Sequence, residues 1–151
     1  MKLTSDIFNE EYDLTITNPP FGKECLFSPS ILNNKVPKKI ASELFIVANG
    51  SNNSKISTFL CPESMLANNN FHSFRKKALE DNTLLASISF SEDIFYGSVK
   101  VKTSALLFER GRTKGDDYSI FMAMAHDDKK DNSNLINEVV NSYGKYIAED
   151  K

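Results

Sequence analysis

Cysteine is nearly absent: Cys25 and Cys61 are the only two in 151 residues, too few and too far apart for a disulfide framework or for the paired spacing of a zinc site. Both are expected to be buried or half-buried thiols. Glycine is sparse as well. The six, Gly22, Gly50, Gly97, Gly111, Gly115 and Gly144, nowhere form the strand-turn-helix fingerprint that cradles a nucleotide phosphate. No apolar run approaches the length of a membrane span, and Met1 to Asp13 holds no apolar stretch of the kind that makes a signal peptide. A cytoplasmic location is therefore expected. Nor is there an excess of base: 18 Lys and Arg against 20 Asp and Glu give a net charge of -2. That balance argues against a protein gripping nucleic acid with its whole surface, because phosphate neutralisation demands a basic face.

What is present is ordinary for a globular protein, with 40% hydrophobic and 11% aromatic residues, and the length suits one domain with a real core. Tyr12 to Thr17 reads as a short strand of β-branched and aromatic residues, stopped by Asn18-Pro19-Pro20, which can continue neither a ladder nor a helix. Gly22 to Pro37 is polar and proline-punctuated, so a loop is expected. Helical periodicity is expected from about Lys38 through Ile40, Leu44, Phe45 and Val47 to Ala48, with Gly50 ending it. Ser51 to Ser54 reads as a polar turn. Ile56 to Leu60 follows as a near-continuous apolar strand of the doubly buried kind.

Phe71 to Glu80 reads as a basic amphipathic helix, Leu84 to Phe90 as the next strand, and Val99 to Phe108 as another, closed by Gly111. The connection from Ser91 to Ser98 is too short for a crossover helix, so the strand after it should run antiparallel to its neighbour. Tyr118 to Ala125 suggests one more short strand. Asp127 to Asn134 reads as a charged loop and Leu135 to Ala148 as a terminal helix. The pattern is that of an α/β sheet with one reversed member.

Three local basic clusters stand out: Lys35, Lys38 and Lys39; His72, Arg75, Lys76 and Lys77; and Lys100, Lys102, Arg110, Arg112 and Lys114. Each can be read as a solvated face or as a nucleic-acid contact. His72 and His126 are isolated, and no metal site is expected.

Asn18-Pro19-Pro20-Phe21 carries the chemistry. An exocyclic amine such as adenine N6 is a poor nucleophile because its lone pair is delocalised into the ring. Two acceptors aimed at its hydrogens favour a more tetrahedral, more nucleophilic nitrogen. The side-chain oxygen of Asn18 is one such acceptor and the carbonyl of Pro19 a second. Phe21 offers a π face for a base, a contact worth roughly 1 to 3 kcal/mol in single-stranded sites. A base reaches such a corner only by leaving the duplex. The alternative is that Asn-Pro-Pro is simply a tight turn. Its position after a strand, where ligand crevices open in α/β sheets, favours the functional reading.

The stretch Asp13-Leu14-Thr15-Ile16-Thr17-Asn18-Pro19-Pro20-Phe21-Gly22 resembles the catalytic motif of N6-adenine DNA methyltransferases, in particular the modification subunit of type I restriction-modification systems. Glu43-Leu44-Phe45-Ile46, Phe59 to Leu66, Ile88-Ser89-Phe90 through Phe95, Val99 to Arg110 with Val101-Lys102-Thr103-Ser104 at its centre, and Ile120 to Ala125 are similar to the later parts of that family. The resemblance runs from about Asp13 to the C-terminus.

It implies an α/β chain forming the C-terminal half of a Rossmann-like S-adenosylmethionine-dependent methyltransferase fold, with a mostly parallel sheet and an antiparallel last strand. Residues 1–111 would be the target-base half of the catalytic domain, and 112–151 a C-terminal extension with a terminal helix. By resemblance Asn18 and Pro19 hold the amine, Pro20 completes the corner, and Phe21 stacks on one face of the flipped base. Phe95 stacks on the other face or merely packs on the sheet, and Lys100 and Lys102 meet phosphate or stand as exposed positions.

The family binds S-adenosylmethionine upstream of this motif, with a glycine-rich turn and an acidic residue, and only 17 residues precede Asn18. The cofactor-gripping half is therefore expected to come from elsewhere. The strand Tyr12 to Thr17 should then have an open side, covered by a second chain, a copy of itself or rearranged N-terminal residues. Implied partners are DNA and other restriction-modification subunits. Two other readings stand beside this one: methylation of RNA or protein amide nitrogens, and a catalytically incomplete remnant or assembly module.

Overall fold

The computed structural model describes residues 10–22, 24–26, 39–41, 47, 50–92, 101–112, 115, 117–125 and 132–149. Strands β1 (Tyr12–Thr17), β4 (Ser54–Pro62), β5 (Asn82–Phe90), β6 (Thr103–Arg110) and β7 (Phe121–Ala125) form one sheet in the order β1-β4-β6-β5-β7. β1 and β4 are parallel, as are β5 and β7, while β6 runs antiparallel to both β4 and β5. The reversal expected from the short Ser91–Ser98 connection is present. β6 inserts between β4 and β5, so it has an antiparallel neighbour on each side. Gly111, at φ 75°, follows it in the left-handed region that glycine tolerates.

Register assigns the faces. Thr17 pairs with Phe59, Phe59 with Leu106, and Cys61 with Ser104, so alternation puts Phe59, Cys61, Leu106 and Phe108 on one side. There they form the core with Val47 and Met65, backed by Phe74 and Leu84. Phe59 and Phe108 lie tilted with ring centroids 6.4 Å apart. Two helices follow β4 on this side: α1 (Glu63–Ala67) and α2 (His72–Asp81). Arg75 joins them, its Nη1 donating to the carbonyls of Met65 and Asn68 at 2.8 Å each. On the opposite face helix α3 (Asn132–Glu149) covers β7, with Phe121 against Tyr143 and Tyr146 at 5.2 and 5.5 Å.

Several expectations are corrected. The segment expected to be loop contains β2 (Glu24–Leu26), which pairs antiparallel with β3 (Lys39–Ala41), where a helix was expected to begin. Two bulky residues, Ile40 and Leu44, share helical spacing, but strand pairing takes the first. Gly50 does not end the helix. Residues 50–53 are helical and run directly into β4, so the expected polar turn at Ser51 to Ser54 is instead a last helical turn and a strand start. The reason is steric. A Cβ on Gly50 would lie 2.8 Å from Cε1 of Phe59 and 3.3 Å from Cγ2 of Thr15, so glycine lets this turn press on the sheet. Asn132 begins the terminal helix three residues before expectation, and α1 was not anticipated.

β1 has β4 on one side and no strand on the other among the described residues. Leu14 and Ile16 are 53% and 71% exposed, and Tyr12 39%. A second apolar surface lies diagonally opposite, where Met122 and Met124 of β7 are 76% and 70% exposed. Beside it a groove of about 170 Å³ is walled by hydrocarbon from Met65, Phe74, Leu79, Leu84 and Leu106. It lies on the sheet face, and although Arg75 and Ser87 border it, the surface it exposes is almost wholly apolar. None of the described helices is long and apolar enough to cross a membrane.

Candidate active site

The chemically furnished region is the edge of the sheet where β1, β4 and β5 end and β6 begins. Asn18 follows Thr17 as β1 stops, because neither Pro19 nor Pro20 can donate a ladder hydrogen bond. The corner is not helical. Asn18 and Pro20 are exposed, Pro19 is buried and Phe21 half-buried. Gly22, at φ 66°, takes the left-handed turn that follows. The base of the corner is fixed by the parallel pairing of Thr17 with Phe59 and by a hydrogen bond between the hydroxyls of Thr15 and Ser54. Arg110 joins the far end of β6 to the start of β1, its Nη2 lying 2.9 Å from Oε1 of Glu11.

Beside the corner β4 ends in Cys61-Pro62 and turns into α1 at Glu63. The Cys61 thiol is buried, donates to the Ser104 carbonyl at 3.5 Å, and is pushed up to about 12 by burial and then by the Glu63 carboxylate. It is a packing group and not a nucleophile at neutral pH. Cys25 lies in β2, and its side chain falls outside the described residues.

Glu63 gathers the next two strands. Ser89 Oγ donates to its Oε1 at 2.6 Å, Lys102 Nζ lies 3.4 Å from its Oε2, and its backbone N–H donates to the Lys102 carbonyl at 2.9 Å. Lys102 immediately precedes β6 and is exposed. Neither Glu63 nor Ser89 stood out in the sequence as a site residue. They are 26 positions apart, and nothing local signals that they meet. Phe95 and Lys100 lie outside the described residues.

Much of the expected basic surface is locally neutralised. Lys76 pairs with Glu80 and Lys77 with Asp81 along α2, Arg75 donates to the carbonyls of Met65 and Asn68, and Arg112 pairs with Glu109. These cations are helix-face and strand-end partners. A cradle for S-adenosylmethionine is not found among the described residues. The two positive-φ glycines, Gly22 and Gly111, lead from a strand into a turn and not into a helix N-terminus. The described residues by themselves do not enclose that cofactor.

Comparison with curated proteins finds no match. Among solved structures, the methyltransferase subunit of a type I restriction-modification system from Streptococcus thermophilus superposes with TM-score 0.70 at 19% identity, covering 91% of this chain and 32% of that one. A chain from a structural study of assembly and conformational transition of the type I system gives 0.69 at 20% identity, covering 93% and 31%. A putative class I S-adenosylmethionine-dependent methyltransferase from Listeria monocytogenes gives 0.65 at 14%, covering 89% and 42%. These likenesses establish the methyltransferase fold, and the chain spans about a third of the length of the first two. A family model for N-6 DNA Methylase matches residues 2–149, nearly the whole sequence. The chain therefore belongs to the N-6 DNA Methylase family.

Proposed function

We propose that this chain forms the target-amine half of an adenine-N6 DNA methyltransferase of the type I modification-subunit kind. The observation that carries the reading is the exposed residue Asn18 at the carboxyl end of β1, on a corner that two prolines hold rigid. The Asn18 oxygen and the Pro19 carbonyl accept the two hydrogens of the extruded amine, which draws lone-pair density back onto nitrogen. Phe21 stacks on the base, with Phe95 as the opposing ring. Lys102 and Lys100 meet the backbone phosphates.

The cofactor pocket belongs to polypeptide outside the described residues, and the open side of β1 is where that polypeptide joins. Leu14, Ile16 and Tyr12 support this. An apolar strand edge left in water invites pairing, and the family's longer relatives have room for such a half. S-adenosylmethionine supplies the methyl group once that half is present.

The test compares two single-stranded oligonucleotides that differ only in one base, adenine or unsubstituted purine lacking the amine. At about 1 kcal/mol per hydrogen bond, two acceptors give adenine an advantage of very roughly tenfold or more in the wild-type chain, and Asn18→Ala lowers it. Equal affinity of the wild type for both oligonucleotides would refute the amine-holding role.

A further inference from the structure

The flexible Lys102 ammonium is bound to the Glu63 carboxylate, which is itself anchored by Ser89. We propose that Glu63 is a positioning residue: its carboxylate, held by Ser89, presents the Lys102 ammonium along the strand-end edge, where it meets a phosphate of the nucleic acid whose base Asn18 receives. This inference rests on the proposed function and adds to it the device that orders the phosphate contact.

The restraint comes from main chain and side chain together. The Glu63 N–H is bonded to the Lys102 carbonyl at 2.9 Å, so the two residues are held side by side before their side chains meet. Pro62 opposite Thr103 fixes the same register. Ser89, at the end of β5, then occupies Oε1 at 2.6 Å and leaves Oε2 facing Lys102 Nζ at 3.4 Å. Three strands and one helix start thus converge on one carboxylate.

A free lysine side chain loses its rotamer freedom when its ammonium is fixed on a phosphate. Ordering by Glu63 meets part of that cost before the ligand arrives. An ammonium has three donors, so one shared with Glu63 leaves two for phosphate oxygens, and Lys102 remains 46% exposed. In the order β1-β4-β6 it stands two strand spacings from the Asn18 corner, roughly 10 Å. Lys76, Lys77, Arg75 and Arg110 each bind a different partner.

The sign of the effect makes the idea testable. Glu63 is an anion on a surface proposed to face DNA, so simple electrostatics predicts that removing its charge tightens binding. Positioning predicts the reverse. Binding of a fluorescein-labelled, adenine-containing single-stranded oligonucleotide is measured by anisotropy across a salt series for the wild type, Glu63→Gln, Lys102→Ala and the double variant. Glu63→Gln keeps an acceptor for Ser89 and so preserves the fold, which thermal melting checks, and Ser89→Ala supplies a second perturbation of the same carboxylate.

The expected result is affinity weakened roughly two- to fivefold by Glu63→Gln, with little further loss when it is added to Lys102→Ala. Lys102→Ala should also lower the salt slope by about 0.7, as for one lost phosphate contact on a single strand. Tighter or unchanged binding by Glu63→Gln would overturn the inference, as would an equal loss with or without Lys102. Failure of the wild type to discriminate adenine from purine would instead refute the proposed function, so the two failures are distinct.

Discussion

Gly50→Ala probes the packing that holds the Asn18 corner against β4. The substitution lies in a helical turn, where alanine is ordinarily favoured over glycine by up to about 1 kcal/mol. Here the new methyl would stand 2.8 Å from Cε1 and 3.0 Å from Cζ of Phe59, and 3.3 Å from Cγ2 of Thr15. Phe59 is fully buried and packs on Phe108, so its ring cannot swing into solvent. Overpacking of this kind costs roughly 1 to 3 kcal/mol, which exceeds the helical gain. The middle of that range less the full helical gain leaves a net loss of about 1 kcal/mol. For a chain of this size that is a fall in Tm of about 2 to 4 °C.

Circular dichroism melting measures the loss, and a second variant identifies its cause. Leucine at position 59 lacks the two ring atoms that the methyl meets. Gly50→Ala combined with Phe59→Leu should therefore lose less stability than the sum of the single changes. A Gly50→Ala chain that melts at or above the wild-type temperature would refute the close-packing argument, and strict additivity would place the clash elsewhere.

Two further outcomes follow from burial and exposure. The Cys61 thiol is pushed up to about 12, chiefly by burial, from an ordinary value of 9.0. The folded state thus holds its proton longer than the unfolded one, so this contribution is fully present below about pH 9 and lost as pH rises toward 12. In a Cys25→Ser background, stability should decline over that window more steeply than in the corresponding Cys61→Ala chain, and alkylation at pH 8 should await unfolding. Parallel curves would contradict the burial argument. For Ile16→Lys, 71% exposure predicts a stability change within about 0.5 kcal/mol together with reduced self-association by light scattering. A collapse of the melting temperature would mean that Ile16 is packed inside the folded chain.

The elements legible in the sequence were those whose signals are local. β1 follows the run from Tyr12 to Thr17 and its proline stop, and the β5-to-β6 reversal follows from a connection too short for a helix. The non-helical corner at Asn18 was legible because two consecutive prolines end both a ladder and a helix. The errors cluster where tertiary contacts decide. Gly50 looks like a terminator until Phe59 is placed beneath it, and Ile40 looks helical until Cys25 is paired across from it. The Glu63, Ser89 and Lys102 cluster was invisible for the same reason, since each residue comes from a different strand end. β7 falls within the short strand read at Tyr118 to Ala125, but its pairing with β5 is one that no local pattern specifies.

The most direct examination of the Asn18 role is single-turnover methyl transfer to adenine in DNA, with this chain combined with the polypeptide that carries the cofactor pocket. Asn18→Ala should slow the transfer step by about a hundredfold, on the scale seen when one preorganised hydrogen-bonding group is removed from an active site. Binding of S-adenosylmethionine should stay within about twofold of wild type, a difference of about 0.4 kcal/mol. A transfer rate that survives the substitution, or an equal loss of cofactor binding, would contradict the account.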